Sequence, residues 1–157
     1  MTRLSDALWS AGRPAAYVSF LSALVHHGVL VEGLASVQVA SLERAGRHDL
    51  GGITVEYHLL PRDLWFGHRA EAFEGEQVPV ATPEKALLDW CWLAEERGLD
   101  PRLDEMEWSA LDLDRLDRLA LETGVAYWRQ LPPAGGSDHD QERMRAEEVA
   151  RLGPRSG

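Results

Sequence analysis

The sequence predicts an α+β fold: a small, mostly antiparallel sheet packed with about four to five helices and followed by an all-helical C-terminal part. Three observations carry that expectation. Period-two alternation appears at Val37-Gln38-Val39, and again where Ile53, Val55, Tyr57 and Leu59 alternate with Thr54, Glu56 and His58. The stretch Val80-Ala81-Thr82-Pro83-Glu84-Lys85-Ala86-Leu87-Leu88-Asp89-Trp90 passes from a β run into the most apolar helix of the chain. Beyond Pro101 the spacing of apolar residues is purely helical.

Taken in order, Leu4, Ala7, Leu8 and Ala11 suit a short lead-in helix stopped by Gly12-Arg13-Pro14. A second helix should be capped by Ser19 and bury Phe20, Leu21, Ala23, Leu24 and Val25. It should close at Gly28 in a Schellman motif that folds Val29 back on Leu24. The alternating segments at 36–41 and 53–60 read as half-buried strands joined by a long, locally basic hairpin loop at 43–52, whose Arg44 and Arg47 could grip an acidic ligand. Pro61 to Gly67 reads as a single helical turn that docks Trp65 and Phe66 on the core. A hairpin of 69–73 and 77–81 follows, and Pro79 argues that its second arm is an edge or carries a bulge.

The helix after this hairpin has over-specified ends. Thr82 can cap, Pro83 occupies the first helical position, Glu84 faces the positive helix end, and Arg97-Gly98 with Pro101 beyond marks the stop. Apolar residues leave only a narrow stripe through Lys85, Asp89, Trp92 and Glu96, so the helix belongs to the core. Lys85, the only lysine, and Asp89 stand at i and i+4, where charges must be paired or lie near solvent. They are either an intrahelical ion pair or, with Glu84, a surface that meets a partner. On the structural reading, Lys85→Met should keep the fold at little cost. Further on, Asp112 can cap a helix with Leu113, Leu116, Leu119 and Ala120 inward and Asp114 paired to Arg118 outward. A last apolar turn at Val125, Tyr127, Trp128 and Leu131 completes a single domain over 1–132, and 133–157 reads as a flexible charged tail with at most a solvated helix near 140–152.

Composition narrows function. The 157 residues, 45 % of them hydrophobic, fit one globular domain. Without a signal pattern or an apolar run of about 18 residues, the expected location is the cytoplasm and no membrane is involved. Cys91 is the single cysteine, which excludes an intrachain disulfide and a cysteine-cluster zinc site. Adjacent His26 and His27 diverge by about 100° on a helix, unlike the i, i+4 pairs of helical metal motifs, so neither a metal nor any other cofactor is expected. Residues 1–70 carry six acids against six arginines, whereas 71–157 carry twenty acids against ten bases. That acidity opposes nucleic-acid binding by the domain and favours a protein partner with a basic surface.

Three ordered signatures add a resemblance. Ser19-Phe20-Leu21-Ser22-Ala23-Leu24 with His27-Gly28, the Gly-Gly-Ile-x-Val-x-Tyr strand at 51–57, and Val80-Ala81-x-Pro83-Glu84-Lys85-Ala86-Leu87-Leu88-Asp89 together resemble the C-terminal domain of the AbiEi family of type IV toxin–antitoxin antitoxins. The likeness spans Tyr17 to Leu131, with Ser22, His27, Gly28 and Pro83 as structural motif positions. It implies a prokaryotic phage-defence module that neutralises a nucleotidyltransferase-like toxin or serves as the effector half of a transcriptional regulator. In that family a winged helix-turn-helix usually precedes this domain and reads DNA. Only Met1 to Arg13 stand before Pro14 here, so no direct DNA binding is expected from this chain. The alternatives are a protein-interaction domain without a toxin partner, or a hydrolase- or nuclease-like enzyme. Against the enzyme, Glu84 and Lys85 are adjacent on a helix rather than spaced Glu-x-Lys on a strand. Ser22 and His26, at i and i+4, have no orienting acid nearby in sequence, so no catalytic residue is assigned.

Overall fold

In the computed structural model, which describes residues 3–125, α1 (Leu4–Leu8) leads into a ribbon of β1 (Trp9–Ser10) and β2 (Arg13–Pro14). The lead-in helix stops early because Ala11 and Gly12 adopt left-handed backbone, φ +52° and +78°, and reverse the chain. There follow β3 (Ala16–Val18), α2 (Phe20–His26), β4 (Val37–Ser41), β5 (Gly46–Asp49) and β6 (Thr54–Leu59). A 3-10 turn at Arg62–Leu64 precedes β7 (His68–Phe73), β8 (Glu76–Ala81) and α3 (Pro83–Arg97). Two more 3-10 turns, Leu103–Glu105 and Trp108–Ala110, lead to α4 (Leu113–Thr123).

The sheet corrects the expected small, mostly antiparallel one. It has six strands in the order β5-β6-β4-β3-β8-β7, and β4 runs parallel to β6 as β3 does to β8, so it is mixed. Alternation fixes which way side chains point but not a strand's neighbour or direction. The expected hairpin loop at 43–52 instead contains the charged edge strand β5, antiparallel to the outer side of β6, and this crossover lets β4 and β6 run the same way. The short β3 has no polar alternation, since all three residues are buried, and its apolar run continues into α2. It is central nonetheless, flanked by β4 and β8.

The β7–β8 hairpin turns through Glu74 and Gly75 at φ +52° and +81°, as a tight two-residue reversal requires. β8 is not an edge, contrary to the reading of Pro79. Its pairing with β3 is confined to Val18↔Val80, and a proline is accommodated where the ladder is that short.

Helix ends follow local chemistry. At α2, Gly28 sits at φ +78° while its N–H reaches the Val25 carbonyl and that of Val29 reaches Leu24, the expected Schellman closure. Thr82 Oγ1 accepts the Lys85 N–H at 3.3 Å with Pro83 in the first turn of α3, and Gly98 ends it at φ +66°. In α4, Asp112 accepts the Arg115 N–H at 3.1 Å, and Leu116 and Ala120 are buried, whereas Leu113 is exposed rather than inward. One contiguous core runs from Leu4 to Ala120. The expected turn at 127–131, the domain end at 132 and the tail at 133–157 lie outside the described residues. No helix among the described residues is long and apolar enough to cross a membrane.

Candidate functional site

The apolar helix α3 carries its two charges inward. Lys85 is 0 % and Asp89 1 % exposed, so each must find partners inside the protein. The Lys85 ammonium donates to Asp89 Oδ1 at 2.6 Å, to the Leu64 carbonyl at 2.6 Å and to Tyr17 Oη at 3.0 Å, which uses all three of its protons. Asp89 Oδ2 accepts the Tyr17 hydroxyl at 2.8 Å and the Ser19 hydroxyl at 2.7 Å. The 3-10 turn supplies Leu64, β3 supplies Tyr17, and Ser19 comes from the β3–α2 junction, so one ion pair ties three segments to α3.

Rings and backbone close around the lysine. Phe66 lies 4.6 Å and Tyr17 5.5 Å from Nζ, measured to ring centroids, and both faces attract the cation. His68 stacks on Tyr17 at 4.3 Å, and Trp65 packs against both rings. Gly67 carries no side chain for a physical reason: a Cβ there would come within 2.6 Å of Lys85 Cγ. The left-handed φ of +82° suits the same residue.

Burial dominates the electrostatics. It pushes the Asp89 carboxyl up and the Lys85 ammonium down from their ordinary values, while each partner's charge opposes the shift of the other. The Tyr17 phenol is raised well above its ordinary value, first by burial and then by the Asp89 charge. His68 is lowered by burial and by the nearby Lys85 charge, and its Nδ1 is buried without a hydrogen-bond partner.

Of the sequence-derived candidates, Glu84, Lys85 and Asp89 are thus removed from the surface. Glu84, 5 % exposed, uses its carboxylate to accept the Asp112 N–H at 2.8 Å and so ties α3 to the start of α4. In this conformation none of the three can touch a partner. Arg44 and Arg47 do remain outside. Arg47 pairs with Glu56 at 2.7 Å across β5 and β6, and Arg44 lies 5.0 Å over the Tyr57 ring with its Nη1 3.3 Å from the hydroxyl. The motif positions Ser22, His27, Gly28 and Pro83 serve the framework. Ser22 Oγ accepts the Gln38 N–H at 2.8 Å, and His27 Nε2 meets the Ala81 carbonyl at 2.8 Å.

Sequence reasoning assigned Ser19 as a capping side chain, but its hydroxyl goes to Asp89, and Gln38 Oε1 instead accepts the Leu21 N–H at 3.0 Å. The chain makes this turn through Phe20 at φ +52°, a conformation costing about 1 to 3 kcal/mol in a non-glycine residue. Burial of its ring, edge-on to His58 at 5.2 Å, holds it there. Tyr17 and Ser19 had a legible signal: on either side of Val18 they share one face of a strand, two hydroxyls in an otherwise apolar run.

No protein-family model matches the chain, and no curated protein matches it either. Two of the three sequence signatures meet physically, through Ser19–Asp89 and through His27 on the carbonyl of Ala81.

Proposed function

We propose that this chain is a non-catalytic antitoxin-type domain, resembling the C-terminal half of AbiEi antitoxins, which acts in the cytoplasm by binding a nucleotidyltransferase-like toxin. The observation that carries the reading is the mutual satisfaction of the signature residues. Lys85 and Asp89 spend their hydrogen bonds on Tyr17, Ser19 and Leu64 inside the core. A group engaged in this way organises a fold, and a partner is then met by the surface that this fold holds rigid.

Arg44 and Arg47 flank or lie on the edge strand β5, where side-chain charge and an open strand edge are available together. The excess of acids over bases, with a net charge of -10, supports a protein rather than a nucleic-acid partner for the domain. The test is to read the frames beside this gene for a nucleotidyltransferase and to co-express one found there with this chain. Restored growth together with co-purification of the two chains is the expected result. Undiminished toxicity with no complex would refute the proposal.

A further inference from the structure

His26 and His27 diverge on α2, yet the fold brings a third ligand type between them. We propose that His26, His27 and Glu71 form a binding site for a divalent transition-metal ion of zinc type, bridging the end of α2 to β7. One ligand atom from each residue lies within 4.8 Å of the other two, and His26 Nε2 is already 2.9 Å from Glu71 Oε2. Metal–nitrogen bonds of about 2.0 Å place the ligands of a tetrahedral ion roughly 3.3 Å apart, so small side-chain rotations complete the triad.

The second ligand is prepared for this role. The Ala81 carbonyl can only accept, so His27 Nε2 carries the proton of their 2.8 Å hydrogen bond and Nδ1 keeps the lone pair. Metal-bound histidines commonly fix their tautomer by donating the other ring N–H to a backbone carbonyl in this way. Phe73 packs 5.2 Å from the His26 ring, and the two histidine rings meet edge to face at 4.9 Å, which limits their rotation. Arg69, 3.6 Å from Glu71 Oε1, opposes a cation but leaves Oε2 facing His26.

Two imidazoles and one carboxylate suit zinc, cobalt, nickel and copper rather than calcium or magnesium. Three protein ligands leave a fourth position for water or a ligand atom, and His26 borders a surface groove of about 460 Å³ from which it can arrive. The site shares no residue with the Lys85 network, although its His27 is also one of the signature positions.

Isothermal titration of the chelator-treated full chain with Zn²⁺ tests it, alongside His26→Gln and Glu71→Gln, with Co²⁺ absorption as a report of ligand geometry. The expected result is one ion per chain, a zinc-dependent rise in melting temperature, visible cobalt bands, and at least a tenfold loss of affinity in either variant. Each variant should melt near wild type without metal, and either one that folds suffices. Absence of zinc binding at micromolar concentrations, or equal binding by wild type and variants, would overturn the proposal, because the other histidines would then account for any uptake.

Discussion

Lys85→Met removes one ammonium and leaves the rest of the network in place. The charge of Asp89 then has two hydroxyl donors, at 2.7 and 2.8 Å, but no counter-ion, and the Leu64 carbonyl loses its 2.6 Å donor. Breaking a buried pair from one side costs about 3 to 5 kcal/mol, a large share of the roughly 5 to 15 kcal/mol that holds a domain together. This replaces the lower cost expected from sequence, where Asp89 could still reach water. With a urea dependence of about 2 kcal/mol per molar, the midpoint should fall by about 2 M. The loss should also depend on pH. Asp89 is raised above its ordinary 3.8 by burial, and without the lysine it rises further. A folded state that holds a proton more tightly than the unfolded one gains relative stability as pH falls through the folded pKa, so the penalty should shrink on acidification. Glu56, Glu71 and Glu76 are lowered and lose stability in acid, but they do so in both proteins and cancel in the difference. An unchanged urea midpoint at neutral pH, or a penalty that grows in acid, would refute the reasoning.

Leu87→Ala should cost about 2 to 5 kcal/mol, because the side chain is wholly buried in the centre of α3, and a calorimetric melt near wild type would contradict that placement. Gly67→Ala should lower the melting temperature as well, by a strain of about 1 to 3 kcal/mol, since the new Cβ meets the Lys85 stem at 2.6 Å. Burial, with the Glu95 charge second, pushes the Cys91 thiol up to about 12. It should therefore stay unmodified by a thiol reagent in the native protein and react fully in denaturant; prompt native labelling would show that α3 is not packed as described.

Much of this was legible where chemistry is local. Thr82-Pro83 and Gly98 set the limits of α3, His27-Gly28-Val29 closes α2, and Glu74-Gly75 turns the hairpin, each by backbone demands that a few neighbouring residues reveal. What depends on distant pairing was not. The charged β5 has no apolar alternation to mark it, because it is an edge strand whose residues are mostly exposed. The parallel pairing of β4 with β6 depends on that unmarked crossover. For the site, the spacing of Lys85 and Asp89 announced a pair, but whether it faced solvent depended on Tyr17, Ser19 and Leu64, which lie 21 to 72 positions away along the chain. Glu71 likewise joins His26 from 45 positions away.

An internal network holds the fold, and on the proposed function an exposed surface meets the partner. The most direct test is a growth-rescue assay of Arg44→Glu/Arg47→Glu in cells expressing a nucleotidyltransferase found encoded beside this gene, with the melting temperature of the same protein measured in parallel. The account predicts a melt close to wild type, because both arginines are exposed and their contacts, Arg47 with Glu56 and Arg44 with Tyr57, lie at the surface where such pairs contribute little, together with loss of rescue. Full rescue by a properly folded double variant would contradict it.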